Sequence, residues 1–198
     1  DVEIIGFLVA TIAWGNRKSI IKNGNSLVEL LDNSPHDFVL NHTEQDLERL
    51  QHFVHRTFNG NDLITFIKGL RHIYTKHYGL EAIFSSYVMN NELQTAIHHF
   101  KKHFFEVEHE PRTLKHVSDP LKKSAAKRIN MFLRWMVRPN TASVDFGIWT
   151  SLSPAFLSCP LDVHSGRVAR QLGLLKRKQN DAIALAELDK QLRRLDPI

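Results

Sequence analysis

Apolar and polar positions alternate with a helical period along most of this chain. In the first segment, Ile4, Leu8 and Thr11 fall on one face of a helix that ends near Gly15. The same spacing returns in later segments, each of which is bounded by turn or capping residues. Further helices are predicted in RKSIIKNGNSLVELLDN, SPHDFVLN, TEQDLERLQHFV, NGNDLITFIKGLRHIYTKHYG, LEAIFSSYV, NELQTAIHHFKKHFFEV, LKKSAAKRINMFLRWMVRP, LDVHSGRVARQLGLL and NDAIALAELDKQLRRL.

Capping residues indicate where several of these helices begin. Thr43, with Asp46 three residues on, predicts a capping box. Asn61 is expected to cap the long helix that follows it. The second helix is expected to break at Asn23-Gly24, because glycine is a poor helix former.

These helices are expected to form two lobes. The segment EHEPRTLKHVSDP holds two prolines and no apolar period, which is typical of a connection. It divides the chain into lobes 1–110 and 111–198, and the first helix can pack with its own lobe or with the second. The last helix is expected to begin at Asn180 or Asp181. No segment predicts a strand, so the predicted fold class is all-α.

Composition narrows the function classes only moderately. A net charge of +5 and a pI near 9.4 favour an anionic partner. Cys159 is the only cysteine, which excludes an internal disulfide and a cysteine-held iron–sulfur cluster and favours a reducing, cytoplasmic setting. The longest apolar run, Ile4 to Trp14, is too short to cross a bilayer and lacks the basic front of a signal peptide.

The helix around Lys127 lies in the most basic part of the chain. Between Leu121 and Val144 there are six lysines and arginines and no acidic residue. A basic helix face without acids suits a phosphate backbone, and a merely solvated helix face is the equal alternative. The apolar stripe is predicted to hold Ile129, Phe132, Leu133 and Met136, and the polar side Lys127, Asn130, Arg134 and Arg138.

Lys127 is also a candidate amine nucleophile. The positive end of the helix dipole and the neighbouring Arg128 both disfavour the ammonium form, and a nucleophilic amine must be uncharged. The alternative is a lysine that contacts phosphate or solvent. Lys122 and Lys123 compete for the same role, because spacing alone does not rank the three.

Asp162 is the second candidate for chemistry. It stands where the N-cap of the helix beginning at Val163 belongs, directly after Pro160 and Leu161. Capping is the simpler interpretation. The two roles are compatible, because a capping carboxylate has a fixed orientation.

Histidines and aromatic residues give weaker signals. His99 and His103 are four apart on a predicted helix and are able to share a metal ion, but nothing nearby completes a site, so no metal is expected. Four aromatic side chains are candidates for stacking on a base, although single aromatics more often belong to a core. They are Trp14, Trp135, Phe146 and Trp149.

The segment LDVHSGRVARQLGL resembles a motif of base-excision DNA glycosylases of the helix-hairpin-helix superfamily, V-D-T-H-x-x-R-V-x-x-R-L-G. Matching positions are held by Asp162, His164, Arg167, Val168, Leu172 and Gly173, and Arg170 stands one residue before the motif's second arginine. Upstream, KRINMFLR resembles the lysine-bearing helix of the lyase-type members, especially the archaeal 8-oxoguanine enzymes. The N-terminal FLVATIAWGNRKSI is similar to the superfamily's first helix and the loop after it. The whole chain also resembles a bacterial conserved family of unknown function, with FVHRTFNG and NMFLRWMVR among its typical strings.

This resemblance implies a two-lobed helical fold of the glycosylase type with a cleft between the lobes. It implies that Lys127 attacks the sugar of a damaged nucleotide, with an oxidised purine as the expected base, and that Asp162 assists. The implied partner is double-stranded DNA carrying a lesion, bound by a monomer in the bacterial nucleoid without cofactor or membrane. Expected DNA contacts are Asn16, Arg17, Lys122, Lys123, Arg128, Arg134, Arg138, His164 and Arg167, and the expected base pocket holds Trp135, Phe146 and Trp149.

The hairpin departs from the superfamily pattern. Its usual L-P-G-x-G glycines let backbone amides approach a phosphate, whereas Ser124, Ala125 and Ala126 stand here. The stretch between Lys127 and Asp162 is also longer than in most members. Two alternatives therefore stay open. One is a non-catalytic nucleic-acid-binding protein that keeps the fold, and the other is a metal-dependent hydrolase built on the histidine-rich stretch.

Overall fold

The computed structural model describes residues 1–141 and 143–196, and helices dominate them, which confirms the predominantly α fold class. The helices are α1 (Val2–Ile12), α2 (Arg17–Leu30), α3 (Pro35–Asn41), α4 (Glu44–Glu48), α5 (Gly60–His77), α6 (Leu80–Ser86), α7 (Gln94–Phe104), α8 (Lys127–Val137), α9 (Val163–Gln171) and α10 (Ala182–Leu195). Short 3-10 turns cover Arg49–His52, Pro111–His116, Pro120–Lys122 and Pro154–Phe156. Within the described ranges no helix has the length and apolar character that crossing a bilayer requires.

A small antiparallel hairpin was missed by the sequence pattern. Strands β1 (Val54–His55) and β2 (Phe58–Asn59) pair with Val54 opposite Asn59 and His55 opposite Phe58. Two residues per strand are too few to show an alternating apolar pattern. The hairpin leads directly into α5, and this is why the cap of α5 is Asn59 rather than the predicted Asn61.

Most other predicted boundaries agree with the structure. Thr43 and Asp46 form the predicted capping box at α4, and Asp181 rather than Asn180 caps α10. The predicted break at Asn23-Gly24 is wrong, because α2 runs through it. A side chain at Gly24 would place its Cβ 3.3 Å from a methyl carbon of Val9, so glycine there permits close packing on α1.

The described residues divide into two compact units whose limits differ from the predicted boundary at residue 110. The first unit comprises 1–83 and 102–116, and the second comprises 84–101 and 117–196. In the first unit, Phe7 stacks on Phe66 at 5.6 Å between ring centroids and meets the edge of Phe104 at 5.4 Å.

The segment predicted as a connection is anchored within the first unit by a buried charge network. Asp62, which is fully buried, accepts hydrogen bonds from Arg112 Nη1 at 3.0 and 3.1 Å and from Thr113 Oγ1 at 2.7 Å. His116 Nε2 lies 3.3 Å from the same carboxylate. Since burying a carboxylate is costly unless it is paired, these partners hold Pro111–His116 against the start of α5.

In the second unit, two apolar groups position the helices that carry the candidate site. Around α8, Phe84 stacks on Phe100 at 4.7 Å, and Phe132 meets Trp149 edge to face at 5.3 Å. A second group packs the residues before α8 against α9 and α10. It consists of Ala125, Leu161, Ala169, Leu175, Ala184, Leu185 and Leu188.

Candidate active site

Lys127 is the first residue of α8, and the turn before it adopts a conformation that usually needs glycine. Ala126 has φ 44° and ψ 41°, and Lys123 has φ 68°, both in the left-handed region. The Ala126 amide donates to Ser124 Oγ at 3.1 Å, and the Ala182 amide donates to the Lys123 carbonyl at 3.2 Å. The Ser124 side chain and the contact with α10 therefore stabilise this turn without glycine at residue 123 or 126.

Asp162 is the N-cap of α9, as the sequence predicted. Its Oδ1 accepts hydrogen bonds from the amides of His164 and Ser165, both at 2.9 Å. Ser165 Oγ in turn accepts from the Asp162 amide at 2.8 Å, which completes a reciprocal capping box. The orientation of the carboxylate is consequently fixed by its own helix.

A second set of contacts holds the backbone of Asp162. Asn180 Nδ2 donates to the Asp162 carbonyl at 2.9 Å, and Asn180 Oδ1 accepts from Arg170 Nη2 at 2.7 Å. Gly166 makes room for this pair, because a Cβ there would lie 2.7 Å from Asn180 Oδ1. Arg170 thus positions Asp162 through Asn180.

The structure brings the two candidate residues together. Lys127 Nζ lies 3.4 Å from Asp162 Oδ2, the oxygen that the cap interactions with His164 and Ser165 amides do not use. The two side chains are 37% and 33% exposed, so the pair is open to a ligand. Partial burial raises the pKa of Asp162, but the Ser165 hydrogen bonds and the Lys127 charge outweigh it and hold that pKa below its ordinary value. The carboxylate is therefore ionised at neutral pH.

The polar face of α8 differs from the prediction at two places, where Asp145 supplies an acidic partner and Asn130 is buried. Asp145, one residue beyond the acid-free window, accepts a hydrogen bond from Arg134 Nη2 at 3.2 Å, and its carboxylate lies 3.8 Å from Arg138 Nη1. Asn130, predicted on the polar side, is 1% exposed and accepts from Gln94 Nε2 at 3.0 Å. Part of this face is therefore neutralised or buried.

The remaining expected DNA contacts differ in exposure. Arg128 is half-buried, and burial lowers the pKa of its guanidinium. Asn16 and Arg17 belong to the first unit, where Asn16 caps α2 by accepting from the Lys18 amide at 2.8 Å. The exposed side chains among the expected contacts are Asn16, Arg17, Lys122, Lys123, Arg138, His164 and Arg167.

The aromatic candidates for a base pocket separate into a core residue and surface residues. Trp149 is 4% exposed and packs against Phe132, so it is part of the core. Trp135 is half-buried, and its carbonyl accepts from the Phe146 amide at 2.7 Å. Phe146 is 48% exposed on the loop after α8 and stays available for stacking.

An open pocket in the second unit was not predicted. It has a volume of about 470 Å³ and includes Ser158, Cys159, Pro160 and Asp189 in its lining. Burial raises the pKa of Asp189. Burial also raises the pKa of the Cys159 thiol, and the nearby charge of Asp189 raises it further. The lining residue Pro160 stands two positions before Asp162 in the sequence, so the pocket begins next to the candidate site along the chain. Asp189 carries no sequence signal beyond its helical position, which explains why it was missed.

The fold and this site define a predominantly helical protein whose second unit pairs a helix-starting lysine with a helix-capping aspartate. Over residues 1–198 the chain matches the family model described as Protein of unknown function (DUF2400), and it belongs to that family. No curated protein and no solved structure matches the chain.

Proposed function

We propose that this protein is a DNA glycosylase with abasic-site lyase activity, acting on double-stranded DNA that carries a damaged base, with an oxidised purine as the preferred lesion. The observation that carries the proposal is the 3.4 Å approach of Lys127 Nζ to Asp162 Oδ2 while the other oxygen of Asp162 caps α9. An amine nucleophile needs a base that receives its proton, and an ionised, oriented carboxylate supplies one.

The reaction assigns a separate task to each residue. The uncharged amine of Lys127 attacks C1′ of the extruded nucleotide, and the glycosidic bond breaks with its electron pair leaving on the base, which takes up a proton. Asp162 accepts the proton from the amine and stabilises the positive charge that develops on the sugar. Opening of the sugar ring gives a Schiff base. Loss of a C2′ proton then expels the 3′ phosphate and nicks the strand.

Several surfaces support DNA as the substrate. His164 and Arg167 are exposed three residues apart in the first turns of α9, close to Asp162 in sequence, where they suit phosphate contacts. Lys122 and Lys123 are exposed just before α8. The pocket next to Pro160 offers Ser158 and Asp189 as hydrogen-bonding groups for an extruded base.

Borohydride trapping on duplexes with an abasic site or 8-oxoguanine tests the proposal. We expect a covalent protein–DNA adduct in the wild type, none in Lys127→Ala, and an undiminished yield in the matched control Lys76→Ala, which replaces an exposed lysine of α5. Lys123→Ala should keep the adduct, with a yield lowered only by the loss of one DNA contact. An equal adduct yield in wild type and Lys127→Ala contradicts the assignment of the nucleophile.

The second candidate function is non-catalytic DNA binding, which needs only the exposed basic side chains of Lys122, Lys123 and Arg167 and not the Lys127–Asp162 pair. It predicts salt-dependent binding without any trapped adduct on lesion-bearing DNA. In that case Lys127→Ala would weaken DNA affinity only by the loss of one ionic contact.

A further inference from the structure

Three histidines and a glutamate meet in the first unit, away in sequence from Lys127 and Asp162. His72 and His77 lie in the last two turns of α5, and His103 and Glu106 lie at the end of α7 and just after it. Gly69 allows the approach of these segments, because a Cβ there would lie 2.8 Å from the Phe104 carbonyl oxygen.

The side chains of this cluster converge on one carboxylate. His72 Nε2 lies 3.0 Å from Glu106 Oε2, and His103 Nδ1 lies 2.9 Å from Glu106 Oε1. The rings of His77 and His103 are 4.4 Å apart between centroids. The end of α5 and the segment after α7 therefore bring imidazole rings and one carboxylate to the same place.

Ligand-atom distances fit a small cation after a modest closure. One ligand atom each from His72, His77 and Glu106 lies within 4.8 Å of the others. In a tetrahedral zinc site the ligand atoms are about 3.4 Å apart. The widest separation here, at most 4.8 Å, must therefore close by up to about 1.4 Å. The side chains of His72 and Glu106 are 22% and 42% exposed and are therefore able to make this adjustment.

The donor set indicates which ion would bind. Imidazole nitrogens with one carboxylate suit zinc and similar first-row divalent ions, whereas calcium and magnesium prefer oxygen ligands.

We propose that His72, His77 and Glu106 bind one divalent transition-metal ion of the zinc class, with His103 as a positioning residue hydrogen-bonded to the carboxylate. The ion fastens the C-terminal end of α5 to the segment after α7 and leaves one coordination position open. This differs from the predicted His99–His103 pair, because His99 stacks on Tyr87 at 4.2 Å in the second unit. It also departs from the sequence-based expectation of no metal.

The test uses the full chain without a histidine tag, stripped with a chelator and then titrated with Zn²⁺ against a chromophoric competitor. We expect one ion per chain. His77→Gln and Glu106→Gln should each weaken binding at least 10-fold, whereas the control His99→Gln should bind like the wild type. His103→Gln should weaken binding by about 10-fold, in the range measured for residues that orient ligands.

Two further readouts keep the test decisive. Co²⁺ should give the visible absorption of a four-coordinate site in the wild type and lose it in Glu106→Gln, which only exchanges an oxygen for an amide nitrogen. Zn²⁺ should raise the Tm of the wild type but not of His72→Gln. Substoichiometric Zn²⁺ binding, or equal affinity in the wild type and both Gln variants of His77 and Glu106, overturns the proposal.

Discussion

Replacing Asp162 by asparagine separates its two roles. The capping oxygen Oδ1 accepts two amide hydrogen bonds, and an asparagine side chain offers an oxygen at the same place. Asparagine and aspartate are equally good N-caps. The substitution therefore keeps α9 in place and removes only the negative charge that faces Lys127 at 3.4 Å.

The expected cost in stability is small. An ion pair as exposed as this one, with 37% and 33% of the two side chains open, contributes about 0.2–1 kcal/mol. The interaction of the charge with the helix N-terminus adds about 0.3–1 kcal/mol. The loss is thus at most about 2 kcal/mol, or roughly 8 °C in Tm for a chain of this length. Asp162→Ala also removes the cap, which costs about 1 kcal/mol more.

The two variants are compared by borohydride trapping under single-turnover conditions, with unfolding in urea measured in parallel. If the charge acts on the Lys127 amine, both variants lose about 10²–10⁴-fold in trapping rate, although they differ in stability. An Asp162→Asn variant that traps DNA at the wild-type rate refutes the catalytic role and leaves Asp162 with capping alone.

Four further outcomes test other parts of the structure. Asp62→Ala should lower the free energy of unfolding by about 3–5 kcal/mol, measured in urea, because it leaves buried partners unpaired; a loss below about 1 kcal/mol contradicts the network. Gly166→Ala should displace Asn180 and lower the trapping rate about 10–100-fold, while DNA affinity stays near that of the wild type. Arg167→Ala should reduce the salt slope of DNA binding by about 1, and an unchanged slope removes it from the interface. The folded-state pKa of Asp162 is lowered, so its stabilising effect is complete above its unfolded value of about 3.9 and is lost as the pH falls through the folded value. The stability gap between wild type and Asp162→Asn should shrink accordingly below about pH 4.

The helical fold was predictable because the period of apolar residues is a local signal. Thr43 with Asp46, and Asp181 before α10, marked helix starts that the structure contains. The hairpin Val54–Asn59 was not predictable, because its strands are too short for an alternating pattern. It moved the start of α5 by two residues.

The division into units was less predictable, because it depends on contacts between distant residues. Pro111–His116 has the composition of a connection, yet a charge network with Asp62, about fifty positions earlier, binds it to α5. Nothing in the sequence around Pro111–His116 indicates that Asp62 is its partner.

The candidate site shows the same contrast between local and distant signals. The capping role of Asp162 was predictable from its position before α9. The hydrogen bond from Asn180 to its backbone was not, because it depends on the space left by Gly166 and on the loop before α10. Asp145, which neutralises Arg134 of α8, lies on the loop after that helix. The residue spacing in the sequence did not predict the path of this loop. Sequence therefore identified the two candidate side chains better than the residues that orient them.

The turn before α8 decides how the backbone presents Lys127 to Asp162. Glycine is favoured before α8 because the turn requires a positive φ, and Ala126 occupies that region at φ 44°. Such a conformation costs alanine about 1–2 kcal/mol, which the Ser124 and Ala182 hydrogen bonds and the burial of Ala125 and Ala126 offset. The backbone that presents Lys127 is thus kept by packing against α10 rather than by glycine. Ser124, Ala125 and Ala126 in place of glycines are for this reason no argument against a working Lys127–Asp162 pair, and Asp162→Asn tests the pair itself.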